Sequence, residues 1–91
     1  RFHLAQNYPN PFNPETTISY ELDQRQPFTM HIMNLSGQVV RTLCAGVTDA
    51  GSYQIRWDGR DDTGQPLPSG LYLCALSGES RQEFIKVMLL K

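Results

Sequence analysis

Alternation of apolar and polar side chains is the feature that most constrains the fold of this chain. It recurs in six segments, at residues 16–22, 27–33, 38–44, 51–57, 70–77 and 83–90. A period of two is typical of half-buried β-strands, and no stretch of eleven or more residues has the spacing of an amphipathic helix. Turn sequences rich in Gly, Pro, Asn, Asp and Ser separate the segments at intervals of roughly ten residues. The pattern predicts an all-β fold, an antiparallel sandwich or barrel of six or seven strands.

The length and charge of the chain limit its organisation and its partners. Its 91 residues, 40% of them apolar and 19% charged, are enough for one globular domain, spanning 1–91, with a thin core. The net charge of −1 disfavours nucleic-acid binding, because phosphate neutralisation usually needs a basic excess. The longest apolar run is too short to span a membrane. The first residues lack the apolar core of a signal peptide, so any export signal is expected upstream or in another form.

Residues 1–14 differ in composition from the rest of the chain. Three prolines, Pro9, Pro11 and Pro14, lie within six residues of one another, and the residue before each proline is biased towards extended conformations. We therefore predict an extended Pro/Asn-rich segment that runs along the body of the domain and is held there by the side chains of Tyr8 and Phe12.

No combination of residues indicates catalysis. A nucleophile elbow, a phosphate-binding glycine loop and metal-ligand spacing of the histidines are all missing, and we predict neither enzyme activity nor a cofactor. Asp58, Asp61 and Asp62 form the one carboxylate cluster. Their oxygens could hold calcium, but the closing Glu of an EF-hand loop is missing. The favoured interpretation is a hairpin loop whose aspartates bond local backbone.

The two cysteines, Cys44 and Cys74, are too few for a disulfide scaffold. They are either small buried thiols, which is the commoner case, or a bridge, which would require their strands to lie face to face. The sequence leaves both possibilities open.

The larger aromatic rings also allow two interpretations. Tyr53, Trp57 and Tyr72 could form an exposed platform for stacking against sugars, or they could belong to the core. The core is favoured, because small sandwiches fill their interiors with such rings. Trp57 closes an alternating strand and is predicted to be buried beside Tyr53 or Ile55.

Several motifs resemble those of a known family. Residues 4–14 (LAQNYPNPFNP), followed by 16–22, are similar to the opening motif of the C-terminal sorting domains of the type IX secretion system. The similarity continues at residues 34–40, 50–53, 57–59 and 68–72, and it ends at 86–91 (KVMLLK). It therefore covers essentially the whole chain.

The resemblance implies an immunoglobulin-like β-sandwich of about seven strands that labels an upstream passenger for export. The passenger would cross the periplasm, the outer-membrane translocon would engage the domain, and a surface sortase would remove it. The expected location is therefore the cell surface or the medium. The final strand is the candidate for translocon recognition, through Lys86, Val87, Leu89, Leu90 and Lys91. Apart from its lysines it is apolar on both faces, as a central strand is.

Two other functions remain open. The immunoglobulin-like domain of the flagellar hook-capping protein also resembles this sequence, at residues 57–61 (WDGRD) and at the later 70–72 (GLY), and it would imply an assembly scaffold. We expect the sorting role instead, because the chain stops at Lys91 with no further segment. An accessory carbohydrate-binding module of a secreted hydrolase is the third possibility, and it depends on Tyr53 and Trp57 being exposed in a flat patch.

Overall fold

The alternating segments form strands where the sequence predicts them. The structure, a computed structural model, describes all residues from 1 to 91. Its strands are β1 (His3–Leu4), β2 (Thr16–Leu22), β3 (Gln26–Met33), β4 (Val39–Thr48), β5 (Gly51–Trp57), β6 (Gly70–Ser77) and β7 (Gln82–Leu89). Five of the six predicted strands agree with these bounds to within one residue. The structure contains no helix that could cross a membrane.

Two antiparallel sheets confirm the predicted immunoglobulin-like β-sandwich. One sheet has the strand order β1-β2-β5, and the other has the order β4-β3-β6-β7. β7 therefore lies at an edge, and the expectation of a central final strand is wrong. The second set of apolar side chains on β7 is not buried between strands. It lies on the outer surface of the four-stranded sheet, where Phe84 is 52% exposed.

The predicted alternation correctly assigns the core. The inward side chains of β2 and β3 are all buried: Ile18, Tyr20, Leu22, Phe28, Met30 and Ile32. Trp57 is fully buried, as predicted, but its aromatic neighbours are Phe12 at 5.3 Å and Tyr72 at 5.9 Å between ring centroids. Of the two expected neighbours, Tyr53 is not an aromatic partner of Trp57, because its ring stacks on Tyr20 at 5.5 Å, while Ile55 packs against the core cluster to which Trp57 belongs. Trp57 thus joins β5 to the opposite sheet and to the N-terminal segment.

β4 is longer than the sequence predicts. It continues from the predicted end at residue 44 as far as Thr48, because it pairs along the whole of β3, from Gln26 opposite Thr48 to Met33 opposite Val39. Between Val39 and Cys44 the alternation is lost because the pairing with β3 shifts twice, and each such irregularity moves a side chain to the other face.

Residues 1–14, which we call the strap, run as an extended segment along one side of the sandwich. Phe12 is 2% exposed and anchors the strap as predicted, whereas Tyr8 is 81% exposed and does not. Only the main chain of Tyr8 is engaged: it exchanges two 2.9 Å hydrogen bonds with Thr17. The neighbouring Asn7 takes the buried position, since its side-chain amide donates to Thr16 Oγ1 at 2.9 Å and to the Pro9 carbonyl at 3.1 Å.

Both cysteines are free thiols. Cys44 on β4 pairs with Met30, and Cys74 on β6 pairs with Ile32, so the two cysteines lie on opposite sides of β3 in one sheet. Two strand spacings of about 4.8 Å separate them by about 10 Å or more, which is too far for a disulfide. Burial raises the pKa of the Cys74 thiol to about 12. The bridge that the sequence left open is therefore excluded in this fold.

Replacing the central ring tests this account of the core. Trp57→Ala is expected to lower the free energy of unfolding by about 3–5 kcal/mol, because a fully buried ring leaves a cavity between the sheets. Urea denaturation at constant m-value measures the loss. Phe84→Ala removes a ring from the outer surface and is expected to cost less than about 1 kcal/mol. A similar small loss for Trp57→Ala would contradict the core assignment.

Candidate functional site

The five residues that the sequence proposes for recognition separate into two groups in the structure. Val87 is 0% and Leu89 2% exposed, and both belong to the core. Leu90 is 50% exposed, and Lys86 and Lys91 are also on the surface. A partner that meets the folded domain can therefore touch Lys86, Leu90 and Lys91, while Val87 and Leu89 position them.

The strap and the end of the chain hold each other. The Phe12 N–H donates to the Met88 carbonyl at 2.9 Å, and the Leu90 N–H donates to the Phe12 carbonyl at 3.0 Å. Asn10 Oδ1 accepts from the Met88 N–H at 2.9 Å. These bonds form a short parallel bridge between Phe12 and Leu89. The first and last motifs of the sequence thus form one structural unit.

Two further contacts fix the lysine-bearing backbone. Gln6 Nε2 donates to the Lys86 carbonyl at 2.7 Å, and the Lys91 N–H donates to Ser69 Oγ at 3.0 Å. Neither Lys86 nor Lys91 forms an ion pair. Both ammonium groups are available to a carboxylate from outside the domain.

An apolar patch on the outer face of the four-stranded sheet lies beside Lys86. Met33 pairs with Val39 on one side and with Leu73 on the other, and Leu73 pairs with Lys86. Paired residues share a face of the sheet, so the four side chains form one row across it. Val39 is 49% exposed, and Met33 and Leu73 are half-buried. Sequence reasoning missed this patch, because the row requires the strand register; the apolar residues on both faces of the final strands were its only signal.

The turn after β5 packs against the same end of β7. Gly59 has φ +75°, and a Cβ there would lie 3.4 Å from Leu89 Cδ1 and 3.7 Å from Phe12. The Trp57 indole N–H donates to the Arg60 carbonyl at 3.0 Å across this turn. The Trp-Asp-Gly motif therefore supports the junction of strap and final strand.

Asp58 and Asp61 bond local backbone, as the favoured interpretation predicts, whereas Asp62 bonds β4 instead. Asp61 Oδ1 accepts from the Thr63 N–H at 2.9 Å, the Thr63 hydroxyl at 2.7 Å and the Gln65 N–H at 3.0 Å. Asp62 Oδ1 accepts from the Thr42 N–H of β4 at 3.0 Å. No group of three His, Cys, Asp or Glu side chains is placed to hold a metal ion. The contacts attach the loop to the edge of β4.

Two of the three aromatic residues considered for sugar binding lie inside the sandwich. Trp57 and Tyr72 are buried, and Tyr53 is half-buried with its hydroxyl donating to the Asp49 carbonyl at 2.8 Å. The Tyr72 hydroxyl donates to the Pro68 carbonyl at 2.7 Å. The flat exposed platform on which the carbohydrate-binding alternative depends is not formed by these rings.

Fold and sequence together define an immunoglobulin-like domain of the flagellar type. The family model of the FlgD Ig-like domain matches residues 9–82, and the chain belongs to this family. Basal-body rod modification protein FlgD of Salmonella typhimurium is 32% identical over 68 residues, and so is that of Salmonella typhi; the match covers 71% of this chain and 29% of the relative. The chain thus spans under a third of the curated relatives it matches. The predicted resemblance to the hook-capping domain is confirmed.

Solved structures share the fold at low sequence identity. PorZ, an essential bacterial surface component of the type-IX secretion system of Porphyromonas gingivalis, has a TM-score of 0.63 at 18% identity, over 94% of this chain and 11% of PorZ. Dimeric latent PorU from the same species has a TM-score of 0.67 at 18% identity, over 93% and 9%. Truncated FlgD from Helicobacter pylori has a TM-score of 0.60 at 16% identity, over 91% and 62%.

The hydrogen bonds to Asp61 give its loop a pH dependence. The Thr63 hydroxyl, followed by the Gln65 backbone N–H, lowers the pKa of Asp61. The stabilisation is therefore present above about pH 4 and is lost as the pH falls through the lower, folded pKa. Asp61→Asn is expected to destabilise at pH 7 in urea melts, and its difference from wild type is expected to shrink well below pH 4. A penalty that is equal at both pH values would contradict this origin. Asp49→Asn, which removes only an exposed ion pair with Arg25, is the control.

The same contacts predict the response to calcium. Because one oxygen of each aspartate already accepts a backbone hydrogen bond and no three carboxylates converge on one point, millimolar calcium is expected to leave the melting temperature unchanged. A large rise that Asp61→Asn abolishes would show that the loop binds the ion.

Proposed function

We propose that this domain directs an upstream passenger across the outer membrane through the type IX secretion system. The observation that carries the proposal is the junction between the strap and β7. The FlgD Ig-like model matches residues 9–82, whereas the motifs that resemble the sorting domains extend over 4–14 and 86–91. These two segments bond to each other through Phe12, Met88 and Leu90. PorZ, a component of that secretion system, has the same fold.

The surface at this junction suits recognition by a protein. Lys86, Leu90 and Lys91 project from a backbone that Gln6, Phe12 and Ser69 hold in place. The unpaired ammonium groups lie beside exposed apolar side chains, so the complementary surface would combine carboxylates with apolar groups. In this proposal the translocon supplies that surface, and the sortase acts on the domain at the cell exterior.

A passenger would attach at the beginning of the strap. Arg1 is exposed, whereas Phe2 and Leu4 are buried. The chain therefore enters the sandwich from the surface, and a folded protein fused before Arg1 does not need to disturb the core.

Substitution of both lysines tests the proposal. A folded reporter fused ahead of Arg1 is expected to reach the surface of a type IX host, and the Lys86→Ala, Lys91→Ala double variant is expected to retain it in the periplasm. Both side chains are exposed and unpaired, so each change is expected to alter stability within about 0.5 kcal/mol. Fractionation of the host, together with urea melts of the isolated domain, separates recognition from folding.

A matched control replaces two cations elsewhere. Arg1→Ala combined with Arg25→Ala also removes two positive charges from exposed residues, and this variant is expected to be exported normally. Export of the lysine variant at wild-type level would mean that the lysines are not the signal.

An assembly scaffold of the flagellar hook-capping kind is the second candidate. The family match and the 32% identity to FlgD favour it. The same fusion distinguishes the two functions: if the unsubstituted fusion never leaves the periplasm of a type IX host, the scaffold is the better account.

A further inference from the structure

The two sides of the sandwich are closed to different degrees. The strap covers the side formed by β2 and β7. On the opposite side lie the edge strands β4 and β5, and none of the ten residues of β4 is buried, while β5 has Trp57 alone in the core. On this second side, which we call the open side, the loop after β5 bonds β4 at Val40 and Thr42 through Asp62, and no segment covers the outer edge of β5.

The end of β4 beyond Cys44 is only partly covered by the smaller sheet. Trp57 of β5 packs on Tyr72 of β6, whereas Tyr20 of β2 packs on Phe28 of β3, and its hydroxyl lies 3.9 Å from Cys44 Sγ of β4. Past this contact the inward side of β4 has a gap. Cys44, paired with buried Met30, is only half-buried, and Gly46, paired with buried Phe28, is exposed. A Cβ on Gly46 would meet nothing within 4 Å.

The edge of β5 next to this gap has free backbone groups. Thr17 exchanges both of its hydrogen bonds with Tyr8, and the Ser19 carbonyl accepts from Ala5. The odd-numbered residues of β2 therefore face the strap, and the even-numbered ones bond β5. On β5 the alternation leaves the N–H and C=O of Ser52, Gln54 and Arg56 directed outward, without a partner.

This edge is also the least protected in the molecule. β4 carries two shifts of pairing, and the strap bonds β7. β5 pairs with β2 without interruption over seven residues, contains no proline, and has one charged side chain, Arg56. Natural edges are usually blocked by bulges, prolines or inward charges. A regular strand with unpaired groups beside an apolar gap is instead the geometry of strand addition.

We propose that the open side binds one extended polypeptide strand, which pairs with β5 and lies over β4. The available edge spans about five residues, or about 17 Å. Such a strip is much smaller than the roughly 800 Å² per partner of a standard interface between folded domains, so the occupant is a single segment.

The side chains around the gap define the sequence of that segment. Its inward residues would meet Tyr53, Ile55 and Leu43, which are half-buried and packed against the core, and they should be apolar. An outward residue would lie next to Arg56, whose side chain is 77% exposed and only 3.7 Å from one carboxylate, that of Glu15. A carboxylate on the strand at this position complements the charge.

A pair of synthetic peptides tests the proposal. Each is a blocked seven-residue strand of alternating Val and Thr, with one outward Thr replaced by Glu in the first and by Lys in the second. With the ¹⁵N-labelled domain, the Glu peptide is expected to shift and to slow the hydrogen exchange of the amides of Ser52, Gln54 and Arg56. Changes confined to β7 or to the outer apolar patch, or none at millimolar peptide, would overturn the proposal.

Charge exchange and backbone blocking make the test specific. The wild-type domain is expected to bind the Glu peptide with a Kd about two- to fivefold lower than that of the Lys peptide, because the Glu forms an opposite-charge cross-strand pair with Arg56. Arg56→Glu is expected to reverse this preference by a similar factor. Methylation of the Glu peptide on the backbone nitrogens that face β5 is expected to raise its Kd at least tenfold. Because this change is made in the peptide, it cannot alter the folding of the domain. Equal binding by the methylated peptide would overturn strand addition. Dimerisation of the free domain that protects the same three amides would overturn it in favour of a second copy.

Discussion

The rest of the structure depends on the contact between Phe12 and Trp57. Phe12 belongs to the strap and Trp57 to the three-stranded sheet, and their rings lie 5.3 Å apart beside Tyr72 of the four-stranded sheet. The backbone of Phe12 bonds Met88 and Leu90. Phe12 therefore connects the strap, both sheets and the end of the chain. A thin core of this size has few other large rings that could replace the Phe12–Trp57 contact.

This connection explains how a domain without catalytic groups can present a signal. The buried Val87 and Leu89 hold the final strand while Lys86, Leu90 and Lys91 remain at the surface. The positions of the exposed groups then depend on the core rather than on a mobile tail. The proposed export role and the hook-capping alternative both need such a rigid surface, and they differ in the partner that reads it.

The two sides of the sandwich show opposite solutions to the problem of an open sheet edge. On the strap side, side chains and backbone of residues 6–12 satisfy β7. On the other side, β5 keeps unpaired groups and none of the residues of β4 is buried. An edge of this kind is a liability for aggregation unless something occupies it, which is the physical basis for inferring an extended partner there.

The sequence by itself determined the strands, their inward faces and the burial of Trp57, because alternation and turn residues act locally. It also indicated that Asp61 bonds nearby backbone, since this side chain needs only Thr63 and Gln65, but not that Asp62 reaches Thr42 of β4. Tertiary structure alone decided the edge position of β7, the separation of Cys44 from Cys74, the exposure of Tyr8 and the gap over β4. Each of these depends on which strands become neighbours and in what register, and pairing between residues far apart in the chain leaves little trace in the local pattern.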